Sequence, residues 1–109
     1  MVYNKLVRDK IPQIIEKAGK KPIIRILSDD ELPLYLEMKL EEEVKEYRES
    51  KNPEELADIL EVIVTLAKTQ GVSFEDLMIL QAEKRFRNGS FKEKILLIET
   101  EAQDESYQN

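Results

Sequence analysis

Between Ile11 and Ile98 the apolar residues fall into blocks, mostly at intervals of three and four, and Gly, Pro, Asn and Ser separate the blocks. That interval is the period of an amphipathic helix. Pro12 fits an opening turn and Gly19 a left-handed stop, so a short first helix is expected from Ile11 or Pro12 to Ala18. The run Pro22-Ile23-Ile24-Arg25-Ile26-Leu27 is rich in β-branched residues, but it is too short to separate an extended segment from buried coil.

Ser28 with Glu31 three positions on reads as a capping box, which opens a second helix running to about Ser50, with Pro33 tolerated near its start. Asn52-Pro53 pairs an N-cap with a proline at the first helical position, so a third helix follows to Gln70, where Gly71 ends it. A fourth begins at Ser73, with Asp76 at the capping-box position, and ends near Asn88-Gly89. Ile95 to Ile98 is apolar but too short to assign. The fold class expected is all-α, a helical bundle built on the antiparallel hairpin of helices two and three. Residues 1–99 are expected to form one unit, and Thr100 to Asn109 a loose acidic tail.

The faces of the two hairpin helices follow from 100° per residue. On helix two, Leu36, Leu40, Val44 and Tyr47 make an apolar stripe, with Glu43 inside it and Glu46 at its edge. On helix three, Leu56, Ile59, Leu60, Val62, Ile63, Leu66 and Ala67 make a broad apolar face bordered by Glu55 and Asp58, while Glu54 and Glu61 point to the polar side. A short connection forces antiparallel neighbours, which sets Glu43 level with Asp58 and Glu46 level with Glu55. Four carboxylates thus face one another across the pair, and within each helix the acids stand about one turn apart, roughly 5 Å.

Crowded, partly buried carboxylates need raised pKa values or a cation. A hard divalent ion is the natural solution, because Mg2+ is held by a few carboxylates together with water and phosphate oxygens, and Mn2+ can substitute. The plainer reading makes these acids solvated surface groups paired with Lys39, Lys45, Arg48 or Lys51.

Composition narrows the chemistry further. The 109 residues contain no Cys and no His, which excludes disulfides, thiolate nucleophiles, Cys or His zinc sites and Ser-His triads. A net charge of -6 argues against nonspecific nucleic-acid binding. Basic residues nevertheless gather at Lys5, Arg8, Lys10, Lys20 and Lys21, and again at Lys84, Arg85 and Arg87, flanking an acidic centre. No apolar run approaches the ~20 residues of a membrane span, and the first residues lack a secretory core, so a cytoplasmic protein with no membrane partner is expected.

The motifs Glu42-Glu43-Val44-Lys45-Glu46 and Glu55-Leu56-Ala57-Asp58 follow an EExxE, spacer, ExxD pattern. With them stand Tyr3-Asn4-Lys5-Leu6-Val7-Arg8-Asp9-Lys10-Ile11-Pro12 and Arg25-Ile26-Leu27-Ser28-Asp29. On these residues the chain resembles the all-α nucleoside triphosphate pyrophosphohydrolases, which include MazG and phosphoribosyl-ATP pyrophosphohydrolase. The resemblance spans roughly residues 3 to 98. It implies that Glu43, Glu46, Glu55 and Asp58 ligate Mg2+, and that a nucleoside triphosphate-like substrate is hydrolysed between its α and β phosphates to a nucleoside monophosphate and pyrophosphate.

On the same footing, a carboxylate free of the metal, Glu46 or Glu42, accepts a proton from the attacking water. Lys5, Arg8, Lys10, Lys84 and Arg87 are candidates to clamp the phosphates, against a plainer role as solubilising charge. One departure stands out: Asn88 occupies a position where the family has Arg, so that phosphate contact passes to Arg87 or is lost. Tyr3, Tyr35, Tyr47 and Phe91 read as core or interface residues rather than a base-stacking platform. Family analogy and the apolar breadth of helix three both imply a homodimer or homotetramer. Two alternatives remain: hydrolysis of phosphoribosyl-ATP in histidine synthesis, and a non-catalytic helical interaction module that keeps a vestigial metal site.

Overall fold

Left-handed residues and side-chain caps set the ends of the helices in the computed structural model, which describes residues 1–103. Helix α1 spans Ile11–Lys17, α2 Leu32–Ser50, α3 Pro53–Thr69 and α4 Phe74–Asn88. Among the described residues there is no strand, and the protein is all-helical. No helix is long and apolar enough to cross a membrane. Pro22 to Leu27 has no regular structure, with Ile23, Ile24 and Ile26 exposed.

Helix α1 ends in a Schellman motif at Gly19 (φ 88), where the Gly19 N–H reaches the Glu16 carbonyl at 2.9 Å and the Lys20 N–H reaches that of Ile15 at 3.2 Å. Helix α3 repeats it at Gly71 (φ 77), with the N–H of Gly71 on Lys68 and that of Val72 on Ala67. At the opposite ends, Asn52 Oδ1 accepts from the Glu54 N–H and Ser73 Oγ from the Asp76 N–H, so α3 and α4 begin where their caps predict.

Helix α2 starts later than its capping box suggests. The Ser28–Glu31 box does form: Ser28 Oγ accepts from the Glu31 N–H at 3.3 Å, and Glu31 Oε1 from the Ser28 N–H at 3.0 Å. Regular helix nevertheless begins only at Leu32. Pro33 has no N–H to donate back to Asp29, so the ladder is interrupted one turn after the box and residues 29–31 stay a turn.

Two residues, Lys51 and Asn52, join α2 to α3. Lys51 closes the turn in the left-handed region (φ 56), with its N–H on the Tyr47 carbonyl at 2.7 Å. So short a link makes the two helices antiparallel neighbours. Helix α2 packs along α3, and α4 packs on α3 in turn. The buried apolar residues are Leu36, Val62 and Ala67.

This is a thin core. The radius of gyration is 20.3 Å and the extents are 73 × 32 × 21 Å, whereas a compact chain of this length has a radius near 13 Å. Much of the excess is chain outside the hairpin: residues 89–103 have no helix, and Phe91 and Ile95 to Ile98 are each at least 75% exposed. Val44, expected inside the apolar stripe, is exposed, because the face that meets α3 runs through Leu36, Lys39, Glu43 and Tyr47 and leaves Val44 on its outer shoulder. Tyr3 is also exposed, whereas Tyr35 and Tyr47 are half-buried. In the expected acidic tail, residues 100–103 are exposed without regular structure and 104–109 lie outside the described residues.

Candidate metal centre

Glu43 sits on the face of α2 that packs against α3, at 6% exposure the most buried charged residue described. Its neighbours follow from the hairpin. One turn apart on the facing flank of α3, Glu55 and Asp58 are half-buried, and single carboxylate oxygens of Glu43, Glu55 and Asp58 lie within 4.8 Å of one another. A second group, Glu42, Glu43 and Glu46, meets the same limit on the α2 side. Glu43 belongs to both. The four acids expected to face one another are therefore brought together along the hairpin in two overlapping triads, with Glu42 added.

Three cations compensate part of this charge. Lys39 Nζ lies 3.3 Å from Glu42 Oε2 and 3.4 Å from Glu43 Oε1, on the same face of α2. The N-terminal segment supplies the other two: Lys5 Nζ donates to Glu42 Oε1 at 2.8 Å, and Arg8 donates to Asp58 Oδ1 at 2.7 Å. Five carboxylates against three cations leave two negative charges when all are ionised. The buried Oε2 of Glu43 has no hydrogen-bond partner. An unpartnered carboxylate oxygen out of water is costly, and it is relieved by a water, an ion, a ligand or a proton shared with a neighbouring carboxylate.

The electrostatics follow the geometry. Burial, and then the neighbouring Glu46 carboxylate, push the Glu43 pKa above the usual carboxylate value. For Glu55 the causes are loss of hydration in the cleft, followed by Glu46 and Asp58, in the same upward direction. Burial also acts on Glu42, but hydrogen bonds and charge from Lys5 and Lys39 outweigh it and the net shift is downward. Lys5 is held protonated beyond its ordinary range by its bond to Glu42. Glu42 is thus a satisfied ion-pair partner, whereas Glu43 and Glu55 carry the unrelieved repulsion.

Not every basic candidate reaches the acids. Lys10 is exposed at the N-cap of α1, and Lys84 and Arg87 lie on the exposed last turns of α4. Among the described residues none of these three forms an ion pair. Helix α4 packs on α3, and Lys84 and Arg87 near its end are exposed. Lys39, named from the sequence only as a salt-bridge partner of the acids, takes that place beside Glu42 and Glu43. Its signal was its spacing, three and four residues before Glu42 and Glu43.

No family model matches the chain, and no solved structure does. Among curated proteins, an uncharacterized protein of Mycolicibacterium smegmatis (strain ATCC 700084 / mc(2)155) is 56% identical over 43 residues, which is 39% of this chain and 44% of the relative. The similar segment thus spans less than half of either protein.

Proposed function

We propose that this protein is a Mg2+-dependent nucleoside triphosphate pyrophosphohydrolase of the all-α, MazG-like type, with Mn2+ able to replace Mg2+. The observation that carries the reading is the buried, unpartnered Oε2 of Glu43 beside Glu55 and Asp58, in a cluster left two negative charges in excess. Carboxylate oxygens alone, with no His or Cys, form a donor set suited to a hard divalent ion. Glu43, Glu55 and Asp58 would hold the ion, with Glu46 one turn along α2. Mg2+ bound there supplies charge neutralisation for phosphate oxygens and acidifies a water for attack.

The chain's own residues then divide the remaining tasks. Glu46 has no ion-pair partner among the described residues, whereas Glu42 is tied to Lys5 and Lys39, so Glu46 is the better base for the attacking water. Lys5 and Arg8 stand at the rim of the cluster and are the cations best situated to meet the phosphates. The scissile bond in this reading is the α–β anhydride, and the products are a nucleoside monophosphate and pyrophosphate.

The same reading includes a second copy of the chain. Leu56, Leu60 and Ile63 form an uncovered stripe on α3, 38–49% exposed, and the thin, elongated shape of one chain leaves that stripe without cover. A self-complementary apolar flank on the central helix fits a homodimer.

The test is a panel of ordinary and modified nucleoside triphosphates together with phosphoribosyl-ATP, assayed with Mg2+ for pyrophosphate release. Release from one class names the substrate, and loss of that release in Glu43→Gln ties it to the cluster. No pyrophosphate from any member of the panel would remove the catalytic reading and leave a helical interaction module.

A further inference from the structure

The first eight residues have no regular secondary structure, and a turn at Asp9-Lys10 leads into α1. No backbone hydrogen bond among the described residues ties them to α2 or α3; the one that anchors the segment, from the Ile11 N–H to the Arg8 carbonyl at 3.0 Å, is local. What holds the segment across the hairpin is two side-chain ion pairs, from Lys5 to Glu42 on α2 and from Arg8 to Asp58 on α3. Both cationic heads are half-exposed, with side-chain exposures of 42% and 55%. Leu6 is the only half-buried residue before Ile11, and Asn4 is in the left-handed region (φ 47). A segment fastened in this way detaches readily, because exposed ion pairs are weak and screened by salt.

Arg8 is fastened to a carboxylate that a cation at the cluster would share. Asp58 Oδ1 accepts the Arg8 guanidinium at 2.7 Å, and Asp58 belongs to the triad with Glu43 and Glu55. A divalent ion between those carboxylates would draw on the same charge and repel a guanidinium at hydrogen-bonding distance. We propose that residues 1–10 form an ionic strap that stands in for the cation, with Arg8 and a divalent ion excluding one another at Asp58, so that ion binding frees Arg8 and Lys5 to meet phosphate. This rests on the metal reading above. By linkage, the strap weakens ion binding by the same factor as the ion weakens the strap.

Titration calorimetry with Mg2+ alone, on the full chain and in the absence of nucleotide, tests it. Arg8→Gln is expected to bind Mg2+ about two- to fivefold more tightly, the size of an exposed ion pair converted to affinity. Arg8→Lys, which keeps the charge, should return most of the way to wild type, and the difference should shrink as salt is raised. A second readout is the initial rate of tryptic cleavage between Lys5 and Leu6, followed by mass spectrometry. Mg2+ should accelerate it in the wild type, whereas Arg8→Gln should be cut quickly with or without the ion.

Wild-type Mg2+ binding that Arg8→Gln leaves unchanged or weakens would overturn the strap and spare the metal site. A wild-type chain that binds neither Mg2+ nor Mn2+ would remove both.

Discussion

Helix α3 has two flanks, and each is incomplete in a different way. Toward α2 it presents Glu55 and Asp58 to the buried Glu43, where Lys5, Arg8 and Lys39 neutralise only part of the charge. On the other side it presents Leu56, Leu60 and Ile63 to solvent. The acidic flank lacks charge and the apolar flank lacks cover. A folded chain tolerates the second more easily than the first, since exposed aliphatic residues are ordinary on protein surfaces, while a buried carboxylate oxygen without a partner is rare. The acidic flank therefore says more about function, and the apolar flank more about assembly.

Glu43→Gln should separate the two most sharply. Mg2+-dependent pyrophosphate release is expected to fall about 100-fold or more. Removing a buried charge that Lys39 only partly compensates should at the same time stabilise the metal-free protein at neutral pH by about 1 kcal/mol, a rise in melting temperature of roughly 5 °C. A variant that lost stability as well as activity would make Glu43 a structural residue and dissolve the contrast.

Leu60→Gln addresses the other flank. If the stripe is a self-association surface, losing a buried leucine costs about 2 kcal/mol, roughly a 30-fold weaker dimer by sedimentation, with Mg2+ affinity little changed. A wild-type chain that sediments as a monomer at every concentration would instead leave the stripe as plain surface.

The pH dependence of stability offers a smaller effect of known sign. Glu43 and Glu55 titrate above their ordinary value of 4.5 in the folded protein, so the stability they contribute is complete below that value and is lost as pH rises through their raised values. Glu31 runs the other way: Arg25, then the Ser28 N–H, hold its pKa at about 2, and its contribution is present above 4.5 and lost as pH falls toward 2. Metal-free melting curves should therefore peak on the acid side of neutral, and Mg2+ should selectively restore stability at neutral pH. A monotonic rise to neutral pH without metal would contradict the repulsion assigned to the cluster.

The smallest expected change lies at the hairpin link. Lys51→Gly relieves a left-handed lysine (φ 56) at the cost of a more flexible unfolded chain, for a net gain of about 0.5 kcal/mol by urea denaturation. Neither flank should respond.

Much of the molecule was legible because its signals are local. Asn52-Pro53 and Ser73 cap their helices through bonds that span only a few residues, and Gly19 and Gly71 stop theirs for the same reason. The nearness of Glu43 to Asp58 was also readable, since a short hairpin turns numbering into height. Other features depended on which neighbours exist. Val44 belongs to the apolar stripe by period but stays about a third exposed, since α2 packs along one helix only. Lys84 and Arg87 matched Arg8 in chemistry, yet only a tertiary path could decide that Arg8 crosses to Asp58 while Lys84 and Arg87 stay exposed.

By itself the sequence determined the helices, their caps and the spacing that aligns two pairs of acids, because these depend on backbone geometry within a few turns. Only the tertiary structure decided that Glu43 is buried with an oxygen left unpaired and that the N-terminal cations lie over the acids. Burial and long-range ion pairs depend on residues up to 50 positions apart meeting in space, and no local pattern encodes that encounter.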